Sequence, residues 1–149
     1  MTAADGSSYV EVIVGGARYG LPIEDVLEVL PRVWTTPLVG VVRDVDGVFL
    51  HRGTPTVAVD ARPRFGHEAQ RRPDDHFVVL RSPSPQIAMI VDEVVGTRVL
   101  STGSMHPPPV PHERIRGAAD TADGLVLLAA PQELLAPVER GALEHALEG

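Results

Sequence analysis

Short runs in which apolar and polar residues alternate, separated by glycine and proline, make up most of this chain. Residues 9–14 alternate and are apolar enough on both sides to predict a largely buried strand. The glycine pair at 15–16 predicts a turn, and residues 18–23 predict the returning strand of a hairpin. The acidic pair at 24–25 predicts a further short turn, with extended chain soon after it. Residues 1–8 predict a mobile terminus.

Residues 48–62 predict a second hairpin, and the rest of the chain is organised around it. Arg52 and Gly53 predict its turn, because glycine takes the positive φ that a tight turn often requires. After the turn, two sets of side chains alternate: Thr56, Ala58, Asp60 and Arg62 against Val57, Val59 and Ala61. This period of two predicts a strand with one face in a core and the other in solvent.

The second half of the chain repeats the order of the first. Residues 76–80 and 86–91 predict two strands joined by a Ser-Pro turn. The sequence at 89–94, Met-Ile-Val-Asp-Glu-Val, resembles Leu-Pro-Ile-Glu-Asp-Val at 21–26. An internal repeat of strand, acidic pair and valine predicts two similar lobes.

The end of the chain changes period. The proline-rich residues 105–112 predict an extended spacer, and residues 125–128 predict a last buried strand. Apolar residues then recur at helical spacing: Leu134, Leu135, Val138, Ala142 and Ala146. They predict a C-terminal helix that Pro137 either breaks or starts.

Eight to ten short strands with one helix at the end predict an all-β fold made of small barrels or a sandwich. The chain has 149 residues, so we expect one domain over residues 1–149. Its two lobes should cover roughly residues 9–62 and 76–128, and strands could be exchanged between them.

Composition excludes several classes of function. A net charge of −7 leaves no basic stripe, so we expect no nucleic-acid partner. The absence of cysteine removes thiol catalysis, disulfides and thiolate zinc sites. No apolar run approaches the ~20 residues of a membrane helix, and the start lacks the basic head of a signal peptide. We therefore expect a cytoplasmic protein without direct membrane insertion.

Candidate catalytic and metal-binding patterns are weak. None of the six histidines has a partner at the spacing that metal ligands on one element require. There is no Gly-x-Ser-x-Gly motif and no phosphate-binding loop. We therefore expect no catalytic residue, no metal and no cofactor. His51 is interpreted as an exposed turn residue, and Arg64, Arg71 and Arg72 as part of a solvated loop.

The charged residues of the second hairpin allow two interpretations. Asp60 and Arg62 lie two residues apart on one strand face, which is typical of a solvated polar face. Alternatively, Arg52 or Arg62 ties the turn to Asp60 or to a backbone carbonyl, because an arginine fork donates several hydrogen bonds at once. On the second interpretation, Arg52→Ala should lower stability.

This hairpin resembles the central signature of the CheW-like adaptor family. That signature has a glycine, an Arg-Gly turn and a strand that ends in Asp, an apolar residue and Arg; here these are Gly47, Arg52-Gly53 and Asp60-Ala61-Arg62. The resemblance extends from Tyr9 to about Leu135. It departs from the family pattern at four places: His51 with Leu50, Val57, Ala61 and Ala130.

The resemblance implies two small five-stranded SH3-like barrels packed together, with a C-terminal helix. It also implies a non-catalytic scaffold that joins a chemoreceptor tip to the regulatory domain of a chemotaxis-type histidine kinase. The receptor groove would include Ile23, Val26 and Glu28. The kinase-facing hairpin would include Gly47, Arg52 and Gly53, in a binding or a structural role, and Asp60 and Arg62 would be structural.

Two alternatives stay open from the sequence. One is a diverged adaptor of the same family that serves another pathway, such as surface motility or development. The other, from a different class, is a small hydrolase or ligand-binding barrel. A deep enclosed pocket lined by polar groups would favour the second alternative.

Overall fold

The computed structural model describes residues 6–38, 40–82 and 84–148, and strands dominate it. The strands are β1 Gly6–Val14, β2 Ala17–Pro22, β3 Val26–Pro31, β4 Val45–His51, β5 Thr54–Asp60, β6 His76–Leu80, β7 Gln86–Val91, β8 Glu93–Ser101, β9 Met105–His106, β10 Ile115–Thr121 and β11 Gly124–Ala129. The helices are α1 Ala61–Arg64 and α2 Pro137–Glu148, and Ile23–Asp25, Thr102–Ser104 and Pro131–Glu133 are single 3-10 turns. The predicted all-β class with a C-terminal helix is confirmed.

The strands form two sheets. One has the order β8-β1-β2-β11-β10-β9 and the other β3-β6-β7-β5-β4. Neighbouring strands are antiparallel except for the pairs β2–β11 and β5–β7, which are parallel. One sheet has six strands instead of the expected five because the two-residue β9 adds to its edge. In the other, a side-chain hydrogen bond joins the edge strands β3 and β4, and Thr36 of the connector between them pairs with Val48.

Strand pairing crosses the predicted lobe boundary. The six-stranded sheet takes β1 and β2 from the start of the chain and four strands from its end, whereas the five-stranded sheet is built from β3 to β7. Strand exchange, which the sequence allowed, therefore dominates the topology. The division into lobes at roughly 9–62 and 76–128 stays a prediction.

The central strands are buried on both faces, which explains their nearly continuous apolar sequences. Successive residues of β6 and β7 alternate between two apolar clusters: Val78, Leu80, Ile87 and Met89 in one, and Phe77, Val79, Ala88 and Ile90 in the other. The first cluster also contains Val12, Val14 and Leu21 from the six-stranded sheet, so the two sheets share one core. Each of the larger side chains, Val, Leu, Ile, Met or Phe, contributes about 1.5–3 kcal/mol when fully buried.

The expectation that β5 has one face in solvent is wrong. Every residue from Thr56 to Asp60 is buried, because β5 lies between β4 and β7 with an apolar cluster on each side. The strand also ends earlier than predicted. The Asp60 carboxylate accepts a hydrogen bond from the Arg62 amide at 3.1 Å, which caps the short helix α1.

The ends of the chain differ in part from the predictions. Residues 6–8, predicted as part of a mobile terminus, belong to β1 and pair with β8, while residues 1–5 lie outside the described part. Pro137 starts α2, as one of the two predictions for it required. Leu134 and Leu135 are buried before the helix begins, and within it Leu143 is the buried residue.

A buried arginine fixes α2 to the rest of the fold. The Arg64 side chain donates to Glu139 Oε1 at 2.7 Å, to Asp44 Oδ2 at 3.1 Å and to the Arg43 carbonyl at 2.8 Å. Its side chain is almost entirely buried, so the prediction of a solvated loop is wrong for Arg64. These bonds join the first turn of α2 to α1 and to the connector before β4, which is why the helix has a defined position.

Glu139→Gln should reduce the acid sensitivity of unfolding. The Arg64 side chain, helped by the Ala136 amide, holds the pKa of Glu139 below its ordinary value of 4.5. A lowered folded pKa stabilises the protein above that ordinary value, and this contribution is lost as pH falls through the lowered pKa. Urea unfolding should show the variant less stable by about 1 kcal/mol near neutral pH, with the difference shrinking below about pH 4.5.

The matched control is Glu144→Gln, on the same helix but without an ion pair among the described residues. It should follow the wild-type pH dependence. A Glu139→Gln difference that stays constant down to about pH 3 would contradict the assignment.

Candidate functional site

The β4–β5 hairpin has a two-residue turn in which both residues take positive φ. Arg52 lies at φ 51° and Gly53 at φ 82°, and β4 and β5 pair up to His51 and Thr54 on either side. This is the geometry of a type I′ turn, which matches the twist of the flanking strands. The turn predicted from Arg52-Gly53 is confirmed, and it holds the Arg52 side chain in solvent at the tip of the hairpin.

Glu28 on β3 accepts two hydrogen bonds from the hairpin. His51 Nε2 lies 2.8 Å and Arg52 Nε 3.1 Å from the same atom, Glu28 Oε1. The Arg52 bond, followed by the His51 bond, lowers the pKa of Glu28 from its ordinary value. These contacts join β3 and β4, the two edge strands of the five-stranded sheet. We call Glu28, His51 and Arg52 the hairpin cluster.

His51 is not the exposed turn residue that the sequence predicted. It is 7% exposed, and besides Glu28 it contacts Gln86 Nε2, which lies 3.4 Å from its Nδ1 atom. The burial follows from its place at the end of β4, where the side chain points toward β3 and β7. This contact was missed because its partners, at positions 28 and 86, are far away in the sequence.

Arg52 does not make the predicted tie to Asp60. Its side chain is 76% exposed and bonds only to Glu28 among the described residues. The interaction therefore lies in high dielectric, where ion pairs contribute little to stability. The expectation that Arg52→Ala lowers stability consequently loses its physical basis.

Arg62 makes the tie instead, and the alternative interpretation of a solvated face is wrong for it. Its side chain is 2% exposed. It donates to Asp75 Oδ1 at 2.5 Å, to Asp92 Oδ1 at 2.7 Å and to Asp60 Oδ1 at 3.4 Å. We call these four residues the Arg62 cluster.

The acidic side chains of the Arg62 cluster have further partners. Asp60 Oδ2 accepts from Arg71 Nε at 3.2 Å, Asp75 Oδ2 from the Arg72 amide at 3.0 Å and Asp92 Oδ2 from the Gly16 amide at 3.2 Å. Burial raises the pKa of Asp60. For Arg62, burial alone would lower the pKa, but the hydrogen bonds to Asp75 and Asp92 outweigh it, so the pKa of Arg62 is raised. Each carboxylate is engaged through both oxygens, which indicates a structural centre and not a catalytic one.

Gly47 is buried in β4 and is required there by a close approach. At its φ of 156°, a Cβ atom would lie 2.4 Å from the Thr36 carbonyl oxygen. Thr36 and Val48 exchange two backbone hydrogen bonds of 2.8 Å at this point. Gly47 therefore lets the connector pair with β4, which is a structural contribution to the hairpin.

The three expected groove residues occupy different environments. Ile23 lies in the 3-10 turn before β3 and is 41% exposed. Val26 is half-buried and packs against the shared core, and Glu28 follows it on the same face of β3. Leu27 and Val29 point to the opposite face and are exposed.

An apolar groove next to the hairpin cluster was not predicted. It has a volume of about 790 Å³ and is lined in part by Trp34, Phe49, Leu50 and Leu147, with His51 and Arg52 at one side. Trp34 is 95% exposed and Leu50 71%. Trp34 is the only tryptophan of a chain poor in aromatic residues, which was an available signal. The contribution of α2 to the groove was not visible in the sequence.

The described residues contain neither a cluster of metal ligands nor a membrane-spanning helix. No group of three or more His, Asp or Glu side chains in that part of the chain could hold a metal ion. No helix there is long and apolar enough to cross a membrane.

The fold and these surfaces define a class of protein. Two small β-lobes share a core, their buried charges are paired, and the features on their surface are apolar and polar contacts of the kind that bind other proteins. The class is a small all-β adaptor.

Comparison with known proteins identifies the family. Residues 8–139 match the CheW-like domain, so the chain belongs to the CheW-like family. It is 32% identical over 124 residues to FrzA of Myxococcus xanthus, covering 82% of this chain and 75% of FrzA. Members of this family are scaffold proteins, and the chain is a CheW-like adaptor of chemotaxis-type signalling.

A solved structure agrees with the fold. The crystal structure of the scaffolding protein TtCheW from Thermoanaerobacter tengcongensis superposes with a TM-score of 0.75, covering 83% of this chain and 88% of that one. At 24% identity, this likeness establishes the fold. It agrees with the expectation of two SH3-like barrels.

Arg52 and Arg62 should respond differently to substitution. Arg62→Met removes the cation that Asp60, Asp75 and Asp92 share, which leaves buried carboxylates without their common partner, and should lower the free energy of unfolding by about 3–5 kcal/mol. Arg52→Ala, the matched control, removes an exposed side chain and should leave the melting midpoint nearly unchanged. Thermal and urea unfolding measure both. Equal losses in the two variants would show that the burial difference does not determine their roles.

Proposed function

We propose that this adaptor couples the cytoplasmic tip of a methyl-accepting chemoreceptor to the regulatory domain of a chemotaxis-type histidine kinase, without catalytic activity of its own. The observation that carries the proposal is the combination of an exposed apolar residue, Ile23, with the Glu28–Arg52 pair on one edge of a rigid sheet. Apolar anchors with a polar rim are typical of grooves that bind helices.

The receptor-binding patch would consist of Ile23, Val26 and Glu28. Ile23 is exposed and supplies the anchor, while half-buried Val26 supports it from the core side. The helical hairpin of a receptor tip presents apolar residues at i, i+3 and i+4 spacing, which fits such a patch. Glu28, already held by its hairpin partners, would form the polar rim.

The kinase-facing patch would lie at the β4–β5 hairpin. Gly47 and Gly53 shape this hairpin, and Arg52 projects from it into solvent. The adjoining apolar groove with Trp34 and Leu50 supplies the exposed apolar area that a protein–protein contact needs. Exposed tryptophan and arginine are enriched among the residues that dominate binding energy.

The proposed location is the cytoplasm, at receptor arrays that the adaptor reaches through its partners. The net charge of −7 supports protein partners and not nucleic acid. No cofactor is needed for a scaffold. Assembly itself would be the output, because one rigid adaptor that binds two partners raises their local concentration.

Ile23→Glu tests the receptor-binding patch. The residue is exposed, so the variant should fold with a change in unfolding free energy within about 0.5 kcal/mol. It would put an unpaired charge into a desolvated contact, which should weaken binding to a receptor-tip fragment by about 2 kcal/mol or more. Calorimetric titration and a thermal melt on one preparation measure both quantities.

Leu27→Glu is a matched control, since Leu27 is 42% exposed but lies on the opposite face of β3. It should bind the receptor tip as the wild type does. Full-strength binding by Ile23→Glu would remove Ile23 from the patch, and no binding by the wild type to either partner would refute the proposed coupling.

A further inference from the structure

His51 sits at the centre of a chain of hydrogen bonds that begins inside the fold and ends at the surface. Thr56 Oγ1 donates to the Thr54 carbonyl at 3.0 Å. Gln86 Nε2 lies 3.3 Å from Thr56 Oγ1 and 3.4 Å from His51 Nδ1. On its other side, His51 Nε2 lies 2.8 Å from Glu28 Oε1. The chain thus runs from β5 and β7 through β4 to β3.

The direction of these bonds fixes the form of the imidazole. The Thr56 hydroxyl donates its proton to the Thr54 carbonyl, so toward Gln86 the hydroxyl oxygen acts as an acceptor. The Gln86 group that faces this oxygen is therefore assigned as the NH₂ donor. That same NH₂ faces His51 Nδ1, which must therefore be unprotonated. His51 is then the neutral tautomer with its proton on Nε2, and it donates to Glu28.

The donors converge on one oxygen of Glu28. Both His51 Nε2 and Arg52 Nε bond to Oε1, and among the described residues no hydrogen bond reaches Oε2. Likewise, within that part of the chain Arg52 uses only Nε, so its two terminal nitrogens face solvent. The carboxylate is anchored from the buried side, while an acceptor and two donors remain open on the surface.

We propose that His51 is a positioning residue of the receptor-binding patch, because it bonds to Glu28 of that patch. Held as the Nε2–H tautomer by Gln86, it fixes the Glu28 carboxylate so that Glu28 orients Arg52 and presents its second oxygen to a partner. This inference rests on the proposed function for its consequence in binding, but its structural part concerns the free protein. A partner that binds here must offer a hydrogen-bond donor and an acceptor side by side.

The structural part is tested by NMR on the free wild-type protein. Long-range ¹H–¹⁵N correlations of the imidazole should give the Nε2–H tautomer for His51 near neutral pH, and the Arg52 Nε–H should be protected from exchange. In His51→Leu that protection should fall, because Glu28 loses its second anchor. An Nδ1–H tautomer, or unchanged Arg52 protection in His51→Leu, would overturn the proposal.

The binding part compares two substitutions of His51. His51→Leu removes the donor and should weaken binding of the receptor-tip fragment by about tenfold, the effect of losing one hydrogen bond to a charged group. His51→Gln keeps an NH₂ donor and should restore binding to within about threefold of the wild type. A purely structural residue would instead give binding losses that follow the melting midpoints of the two variants.

Arg52→Ala completes the comparison. Arg52 and His51 bond to the same oxygen of Glu28, so their effects on binding should not add. The double variant His51→Leu/Arg52→Ala should therefore bind about as weakly as whichever single variant binds less tightly. Full-strength binding by His51→Leu, or independent losses in the double variant, would overturn the proposal. If the wild type does not bind the receptor-tip fragment, the proposed receptor coupling fails, whereas the NMR result still decides whether His51 positions Glu28. If His51→Leu does not fold, the proposal is decided by the His51 tautomer in the wild type and by the binding of His51→Gln.

Discussion

The rest of this structure depends on the buried ion pairs that the Arg62 guanidinium makes with three aspartates. It lies where the two sheets meet: Asp60 ends β5 in the five-stranded sheet, and Asp92 joins β7 to β8 and also binds the Gly16 amide in the β1–β2 turn. Desolvating one cation and three carboxylates is costly, and only complete hydrogen bonding offsets that cost. The core that both sheets share closes around this charge, and the two lobes are therefore held in one arrangement.

A fixed arrangement of lobes matters for an adaptor, because its function is to hold partners in a defined geometry. The protein uses a different arginine for the interior and for the surface. Arg62, after β5, is buried and organises the interior, whereas Arg52, in the turn before β5, is exposed and belongs to the surface. Buried charge here provides rigidity, and exposed charge together with Trp34 and Leu50 provides the contacts that a partner could use.

Much of the fold could be predicted from the sequence, since the period of two and the glycine turns are local signals. The nature of the polar residues could not. A strand pattern with Asp60 and Arg62 on one face is the same whether that face meets water or an ion network whose other members, Asp75 and Asp92, are distant in the sequence. His51 and Arg64 were misjudged for the same reason, because Glu28, Gln86 and Glu139 supply their partners only after folding. The family resemblance located the hairpin and implied a structural role for Arg62, but it did not reveal the buried partners Asp75 and Asp92.

Native-state hydrogen exchange tests most directly whether the Arg62 cluster holds the two sheets as one unit. In the wild type, the slowest amides of β1 and of β5 should exchange with the same free energy of opening, equal to that of global unfolding. In Arg62→Met, both should become less protected by the same amount. If β5 and its sheet lose protection while β1 keeps its own, or if β1 and β5 already open independently in the wild type, then the two sheets are separate units and the account is contradicted.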